Sequence, residues 1–156
     1  MAKIIDGKTI SAEVRAEIKA EVTKLSAEGI SVCLAVVIVG DDPASQVYVR
    51  NKKKACDETG IRSEIIAMPA ETTEEELISV LDGLNSRKDV NGILVQLPLP
   101  GHINERNIIA HIAPKKDVDA FGDENVGRIM TGGFSFLPCT PAGIIELLHR
   151  SGISIE

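Results

Sequence analysis

The sequence predicts an α/β fold of three layers, in which helices cover both faces of a mostly parallel sheet. Two apolar runs, Val32–Val39 and Gly92–Leu97, lack the alternation of half-exposed strands and are typical of strands buried on both faces. Segments of helical periodicity separate and follow these runs, and this alternation favours parallel crossover connections. The 156 residues contain no linker or repeat, so we expect a single domain over residues 1–156.

The first half of the chain predicts a helix, a strand, a second helix and a second strand. Apolar residues recur at near-helical spacing over residues 10–25, which predicts an amphipathic first helix. The first buried run is followed by the loop Gly40–Ser45 and by a helix that ends at Gly60. The segment Glu64–Met68 then predicts the second strand.

The second half of the chain predicts helices around one further buried strand. A doubled capping-box signal opens the first of these helices, and a threonine followed by proline predicts the N-cap of the last. Residues 117–137 show weak periodicity, and no helix is predicted there. The predicted elements are a helix from Thr72–Glu76 to Leu84, the strand Gly92–Leu97, a short helix over Asn104–Ile112 and a helix from Thr140 to Gly152.

Composition and charge exclude several classes of partner and cofactor. The net charge is −6 and the pI is about 5.1, which is the wrong balance for a general nucleic-acid surface. Three cysteines lie far apart with no Cys-x-x-Cys, so we expect no metal site and no disulfide framework. No apolar run approaches the ~20 residues of a membrane helix, and the N-terminus lacks a signal-peptide core. These features predict a soluble, cytoplasmic protein without a membrane partner.

Two loops leave the carboxyl ends of predicted strands, which is where open α/β sheets bind ligands. Tyr48 and Lys52 lie four residues apart on the helix that follows the first loop, so they share a helix face. Gln96 ends the strand that precedes the second loop. If the two strands are neighbours, the three side chains face one cleft, where a phenol and an amine can hold a flat heterocycle and move a proton.

Each candidate residue also has an ordinary structural interpretation. Lys52 is the strongest candidate for acid–base chemistry, but it stands in a basic run that is also typical of a solvated helix face. Tyr48 covers a ligand ring or is a half-buried core residue, and Gln96 caps free backbone or meets a ligand. Asp119 accepts hydrogen bonds from a nitrogen heterocycle or caps a turn. Cys139 is a nucleophile near a helix start or, more commonly for this residue type, a small buried side chain.

Five short motifs follow one another along the chain in a fixed order. They are Asp42-Pro-Ala-Ser with Tyr48-Val-x-x-Lys52-x-Lys54, Gly92-Ile-Leu-Val-Gln-Leu-Pro-Leu-Pro100, Lys116-Asp-Val-Asp119, Asn125-Val-Gly-Arg128 and Pro138-Cys-Thr-Pro-Ala-Gly143. In this order they resemble the bifunctional methylenetetrahydrofolate dehydrogenase/methenyltetrahydrofolate cyclohydrolase family over nearly the whole chain. The resemblance implies the amino-acid-dehydrogenase-like fold of that family's N-terminal, folate-binding domain.

The resemblance implies a role for each candidate residue. Lys52 would be the general acid/base of the cyclohydrolase step and would assist iminium formation in the dehydrogenase step. Gln96 would hydrogen-bond Lys52 and tune it. Tyr48 would pack against the folate, and Asp119 would hold the pterin ring. The folate would also be bound by Val95, Leu97, Pro98, Leu99, Pro138, Cys139, Thr140 and Pro141.

The resemblance also implies the reactions of a longer parent protein. These are NADP-dependent oxidation of 5,10-methylenetetrahydrofolate to 5,10-methenyltetrahydrofolate and hydrolysis to 10-formyltetrahydrofolate, in a homodimer. The family continues beyond the position of Glu156 into a Rossmann domain that binds NADP, and a C-terminal helix returns to the first domain. We therefore expect a folate-binding half that lacks dehydrogenase activity, retains at most weak cyclohydrolase activity and exposes apolar surface through which it pairs with itself.

One departure and two alternatives accompany this interpretation. The family has glycine and then Phe-His-Pro after the last aspartate of Lys-Asp-Val-Asp, whereas Ala120 and then Phe121-Gly122-Asp123 stand here, which affects how Asp119 is oriented. A non-catalytic folate-binding module is one alternative function. The other is an enzyme that forms a Schiff base through Lys52.

Overall fold

A computed structural model describes residues 4–155, so residues 1–3 and 156 of the predicted domain lie outside the described part. Helices and strands alternate through the first two thirds of the chain, and three helices follow the last strand. The elements are α1 Gly7–Ala27, β1 Cys33–Val39, α2 Pro43–Thr59, β2 Arg62–Met68, α3 Glu74–Ser86, β3 Gly92–Val95, α4 Glu105–Ala110, α5 Asp123–Thr131 and α6 Cys139–Arg150.

The sheet has three described strands in the order β2-β1-β3, and both pairings are parallel. The central strand β1 pairs Val39 with Met68 on one side and Val37 with Val95 on the other. Each crossover contains a helix, as parallel neighbours require. The predicted parallel α/β sheet is therefore confirmed.

Side chains of β1 alternate between two separate apolar clusters, one on each face of the sheet. Ala35, Val37 and Val39 belong to the cluster that contains residues of α3 and α4. Val36 and Ile38 pack in the other cluster with Val49 of α2. Helices thus cover both faces, which confirms the three layers and explains why the run is apolar at consecutive positions.

The helix α2 is held at both ends by local signals that the sequence carries. The Asp42 side chain caps its start by accepting a hydrogen bond from the Ser45 backbone N–H at 2.7 Å, and Pro43 stands in the first turn. Gly60 ends the helix in the left-handed region, at φ 83°. The predicted capping box of α3 is also present, between Thr73 and Glu76.

Two predictions about the last third of the chain are wrong. The helix α6 begins at Cys139 with Pro138 as its cap, so Thr140 and Pro141 lie inside the first turn rather than starting it. Proline is tolerated there because the first four N–H groups of a helix have no intrahelical acceptor. The helix α5 was not predicted. Val126, Ile129 and Met130 do stand at helical spacing and Gly132 ends the helix, but the pattern is short and residues 117–137 as a whole show weak periodicity.

Smaller differences affect the predicted ends of elements. The strand β3 ends at Val95 rather than Leu97, although the Gln96 backbone N–H still donates to Val37 O at 2.8 Å. The first helix is longer than the apolar pattern at both ends, and β2 begins at Arg62. The helix α2 begins at Pro43, inside the predicted loop Gly40–Ser45, because the Asp42 side chain caps it there. Over residues 4–155, no helix is both long and apolar enough to cross a membrane.

Candidate active site

Because β1 and β3 are adjacent and parallel, the loops that follow them lie at the same edge of the sheet. The helix α2 leaves β1 at this edge and carries Lys52 toward the end of β3. There the Lys52 ammonium Nζ donates a hydrogen bond to Gln96 Oε1 at 3.1 Å. This bond joins residues that are 44 positions apart in the chain.

The Gln96 amide is fixed from its other side as well. Its Nε2 donates to Leu97 O at 2.7 Å, which leaves Oε1 to face Lys52. The following Leu97–Pro98 peptide is cis, and the Leu99 backbone N–H donates to Glu105 Oε1 at 2.9 Å. The hydrogen bond to Glu105 connects the loop after β3 to α4. The hydrogen bond to Leu97 O orients the Gln96 amide so that its oxygen faces Lys52.

A turn segment that makes a single β-bridge to β3 brings Asp119 to the same edge. The Ile93 backbone N–H donates to Lys116 O at 2.7 Å, and Ile93 and Asp117 form an isolated parallel bridge. The strand must begin with glycine here, because a Cβ built on Gly92 would lie only 2.5 Å from Val118 Cγ1. Close packing of Val118 on Gly92 therefore sets where Asp119 emerges.

Asp119 and Cys139 meet at this edge, and the charge of Lys52 acts on both. Cys139 Sγ lies 3.8 Å from Asp119 Oδ1 and 3.8 Å from Val118 O. Burial raises the pKa of Asp119 above its usual value, the positive charge of Lys52 opposes this rise, and the negative charge of Asp117 adds to it. Burial, followed by the charge of Asp119, also raises the pKa of the Cys139 thiol.

The lysines of the basic run on α2 lie in two different environments. Lys53 Nζ pairs with Asp57 on the exposed face at 3.2 Å, and Lys54 Nζ lies 4.0 Å from Glu58. Lys52 instead points to the strand ends and bonds Gln96. The solvated-face interpretation therefore describes Lys53 and Lys54, while Lys52 lies where a ligand of the sheet edge would bind.

Tyr48 lies one helical turn before Lys52 and is 61% exposed, so it is not the half-buried core residue of the alternative interpretation. An exposed aromatic ring beside the ammonium has room to stack on a flat ligand. Stacking itself stays a prediction.

The residues predicted to line the cleft fall into two groups. Val95 and Leu99 are buried in the cluster shared with α3 and α4, and Leu97 packs against it. Pro98 is exposed in the loop after β3. The remaining residues surround the start of α6, where Pro138 is half-buried and Cys139, Thr140 and Pro141 are exposed. The interpretation of Cys139 as a small buried side chain is therefore wrong, because the start of α6 lies at the surface.

Two buried polar residues near Asp119 had no role assigned from the sequence. Asp117 and Asn125 are joined by a hydrogen bond from Asn125 Nδ2 to Asp117 Oδ2 at 3.0 Å. The only signal for Asn125 was its place in one of the five motifs. Among residues 4–155, no three His, Cys, Asp or Glu side chains come together as a metal site.

A groove of about 640 Å³ lies between α1, α2 and α6 and is separate from the Lys52–Gln96 pair. Its lining is mainly apolar and includes Ile10, Ile18, Ile144 and Leu147. It reaches Cys139 and Thr140 but neither Lys52 nor Gln96. We call this feature the α1–α2–α6 groove.

Comparison with known proteins places the chain among folate enzymes. Residues 5–119 match the family model for the tetrahydrofolate dehydrogenase/cyclohydrolase catalytic domain. The bifunctional protein FolD of Lachnoclostridium phytofermentans is 60% identical over 156 residues, which make up 100% of this chain and 55% of that protein. FolD of Moorella thermoacetica is 57% identical over 152 residues, or 97% of this chain and 54% of that protein. The chain spans about half the length of the curated relatives it matches.

Solved structures show the same fold. The bifunctional FolD methylenetetrahydrofolate dehydrogenase/cyclohydrolase of Campylobacter jejuni matches with a TM-score of 0.95 and 46% identity, covering 97% of this chain and 54% of that chain. The Trypanosoma brucei enzyme, solved with NADP cofactor and an inhibitor, matches with a TM-score of 0.93 and 35% identity, covering 99% and 53% of the respective chains.

Proposed function

Since the chain belongs to the tetrahydrofolate dehydrogenase/cyclohydrolase family, we propose that it is the folate-binding catalytic domain of a bifunctional enzyme. The whole enzyme would oxidise 5,10-methylenetetrahydrofolate to 5,10-methenyltetrahydrofolate with NADP and hydrolyse the product to 10-formyltetrahydrofolate. The observation that carries the proposal is the hydrogen bond from Lys52 Nζ to Gln96 Oε1, at the strand edge that also presents Asp119.

These side chains suit hydrolysis of a methenyl bridge. Water adds to the electron-poor carbon between the two folate nitrogens, forming a C–O bond and releasing one proton to a base. The hydroxyl group so formed then loses its proton as its C=O bond forms, and the bond from that carbon to N5 breaks as N5 takes up a proton. This leaves a formyl group on N10 and releases one proton overall. An amine that bonds an amide oxygen can accept the first proton and return the second, so Lys52 is proposed as the general acid/base and Gln96 as its partner.

The folate itself is proposed to bind across the same edge. The ionised Asp119 would accept hydrogen bonds from ring N–H groups of the pterin, and the exposed ring of Tyr48 would pack on its face. Pro98 and the start of α6 would bound the cleft, together with the backbone of the loop after β3.

The NADP of the dehydrogenase step is proposed to bind outside these residues. The sequence contains no Gly-x-Gly-x-x-Gly loop, and the family implies a separate Rossmann domain for the cofactor. The α1–α2–α6 groove is exposed, which supports the proposal that a further helix of the whole protein packs against this domain. The homodimer, the cytoplasmic location and a supply of formyl groups to purine biosynthesis are part of the proposal and rest on the family and on the acidic, disulfide-free composition.

Replacement of Lys52 tests the proposal directly. Lys52→Met in the 156-residue protein should lower the rate of methenyltetrahydrofolate hydrolysis at least ~100-fold, because general acid–base catalysis typically contributes ~10²–10⁴-fold. Folate affinity should change only a few-fold. Lys53→Met is the matched control, since Lys53 pairs with Asp57 on the exposed helix face, and it should hydrolyse like the wild type.

The outcomes separate the alternatives. Hydrolysis that survives Lys52→Met contradicts the assigned role, and a wild type that binds folate without hydrolysing it is the non-catalytic binding module. Substrate trapped on Lys52 by borohydride would indicate the Schiff-base enzyme instead.

A further inference from the structure

A buried polar pair lies directly beneath the proposed folate site. Asp117 is 2% exposed and Asn125 is 3% exposed, although both stand in or next to loops. A carboxylate and an amide are costly to bury unless they are hydrogen-bonded. Neither residue touches the proposed reaction, so their burial needs a different reason.

The Asp117 carboxylate accepts one hydrogen bond from a later residue of its own loop and one from α5. Its Oδ2 accepts hydrogen bonds from the Gly122 backbone N–H at 2.9 Å and from Asn125 Nδ2 at 3.0 Å. The same Asn125 Nδ2 donates to Pro114 O at 2.9 Å. The Asn125 amide therefore joins α5, which follows Asp119 in the chain, to two residues that precede Asp119. We call Asp117, Gly122 and Asn125 the Asp117 clamp.

Four residues, 118 to 121, lie between Asp117 and Gly122, and both neighbours of Asp119 among them are fixed. Val118 packs on Gly92 without room for a Cβ there. Ala120 is fully buried and adopts a left-handed conformation at φ 54°, and its backbone N–H donates to Asp117 O at 3.2 Å. Such a conformation persists only where the surroundings over-determine it.

The Asp119 carboxylate is held weakly by comparison. Within residues 4–155, the Cys139 thiol at 3.8 Å is the one hydrogen-bond donor that reaches it. Its position is thus set through its backbone, and its oxygens are available to N–H donors of a ligand.

We propose that the Asp117 clamp is a positioning device that holds Asp119 toward the folate ring. This inference rests on the proposed function. It assigns Asp117 and Asn125 as positioning residues and predicts that loosening the clamp weakens folate binding more than it weakens the fold.

Removal of the amide gives the first test, with 5-formyltetrahydrofolate as the probe in a binding titration of the 156-residue protein. Asn125→Ala should weaken binding at least ~10-fold at a temperature where circular dichroism shows the variant folded. Asn107→Ala is the matched control, because Asn107 Nδ2 also bonds a carboxylate oxygen, Glu74 Oε1 at 2.6 Å, between α3 and α4. The control should bind within ~2-fold of wild type.

A gentler pair of variants covers the case in which Asn125→Ala does not fold. A Cβ on Gly122 would lie 3.2 Å from Asp117 Oδ2, whereas a Cβ on Gly127 in the same helix would meet nothing within 4 Å. Gly122→Ala should therefore displace the clamp and weaken binding ~3–10-fold, and Gly127→Ala should not. Equal affinities for these two variants overturn the proposal.

The pH profile gives a readout that a purely structural role would not move. Besides Asp117, the charged and titratable groups that act on Asp119 are Lys52 of α2 and Cys139 of α6. Asp117→Asn retains an oxygen that can accept both clamp bonds but removes a negative charge. The acid midpoint of probe binding should then move to lower pH while the affinity at pH 7 stays within ~3-fold of the wild type. A loss of affinity as large as that of Asn125→Ala contradicts the proposal. A wild type that does not bind the probe would instead contradict the proposed function.

Discussion

Single residues at the strand edge owe their chemistry to neighbours that are distant in sequence. Lys52 stands in a run of three lysines, yet it alone of the three bonds Gln96, while Lys53 and Lys54 face carboxylates on their own helix. Burial disfavours the ionised form of Asp119, whereas the positive charge of Lys52 favours it. Burial is the larger of the two effects. A carboxylate whose ionised form is disfavoured by burial is suited to a ligand that supplies N–H donors to it.

The Asp119 environment predicts a conflict between stability and binding. Its pKa in the folded protein lies above the usual value of an aspartate carboxyl, 3.8, so the folded state binds the proton more tightly than the unfolded chain does. Ionisation of Asp119 therefore subtracts from stability as the pH rises through the raised pKa, and below pH 3.8 this penalty is absent.

Asp119→Asn should accordingly raise the free energy of unfolding at pH 7, and the gain should shrink toward zero as the pH falls to about 4. Folate affinity should fall in the same variant. Urea unfolding over this pH range checks the sign, with Asp41→Asn as an exposed control for the loss of one negative charge. A variant less stable than wild type at pH 7 would refute the electrostatic argument.

At the scale of elements, different kinds of contact satisfy the free backbone groups at the two ends of α3. Its start has the Thr73–Glu76 capping box, which is local. At its end, Lys116 Nζ donates to Leu84 O at 2.9 Å, Asn85 O at 2.8 Å and Arg87 O at 2.6 Å. The backbone of Lys116 also accepts from Ile93 N–H, so one residue connects α3, β3 and the segment that carries Asp119.

Lys116→Met should lower the free energy of unfolding by about 2–3 kcal/mol, because it leaves three partly buried carbonyls without their charged donor. Lys115→Met is the adjacent control, since Lys115 is exposed, and it should change stability by less than about 0.5 kcal/mol. Chemical denaturation measures both. Equal effects of the two substitutions would show that the three hydrogen bonds do not stabilise α3.

At the scale of the whole molecule, the α1–α2–α6 groove is an apolar surface that the described residues leave open. Ile144 is 53% exposed on its wall, and Ile18 is 39% exposed opposite it. Apolar patches of this kind are typical of surfaces that another element or molecule covers. A second copy of the 156-residue protein can cover the groove.

The isolated 156-residue protein should therefore self-associate with increasing concentration in sedimentation or size-exclusion experiments. Ile144→Glu should reduce the association, because pairing would bury an unpaired charge in the groove. Met130→Glu is the control, since Met130 is 83% exposed but does not line the groove. A wild type that stays a compact monomer at every concentration tested, or equal behaviour of the two variants, would refute this prediction.

Much of the fold followed from local signals. The apolar run of β1, the cap at Asp42 and the capping box at Thr73 each involve residues within a few positions of one another, and all are present. The missed helix α5 carries only short local signals, namely a few apolar residues at helical spacing and Gly132 at its end. Its one buried residue is the polar Asn125, whose partners Pro114 and Asp117 lie 11 and 8 positions away. The helix α6 begins before Thr140, directly after Pro138, which makes no side-chain capping hydrogen bond. Pro141 is tolerated inside the first turn because the N–H it lacks would have no intrahelical acceptor there.

The sequence by itself determined the α/β class, the order of the main elements and the family, because periodicity, caps and motifs are properties of neighbouring residues. The family resemblance implied the hydrogen bond between Lys52 and Gln96, which the structure contains. Only the tertiary structure decided that Lys53 and Lys54 face carboxylates of their own helix, and that Asp117 and Asn125 hold the segment of Asp119. The physical reason is that the pairing of β1 with β3 brings together groups far apart in the chain. Burial, charge and hydrogen bonding then act over ångströms in space rather than over positions in sequence.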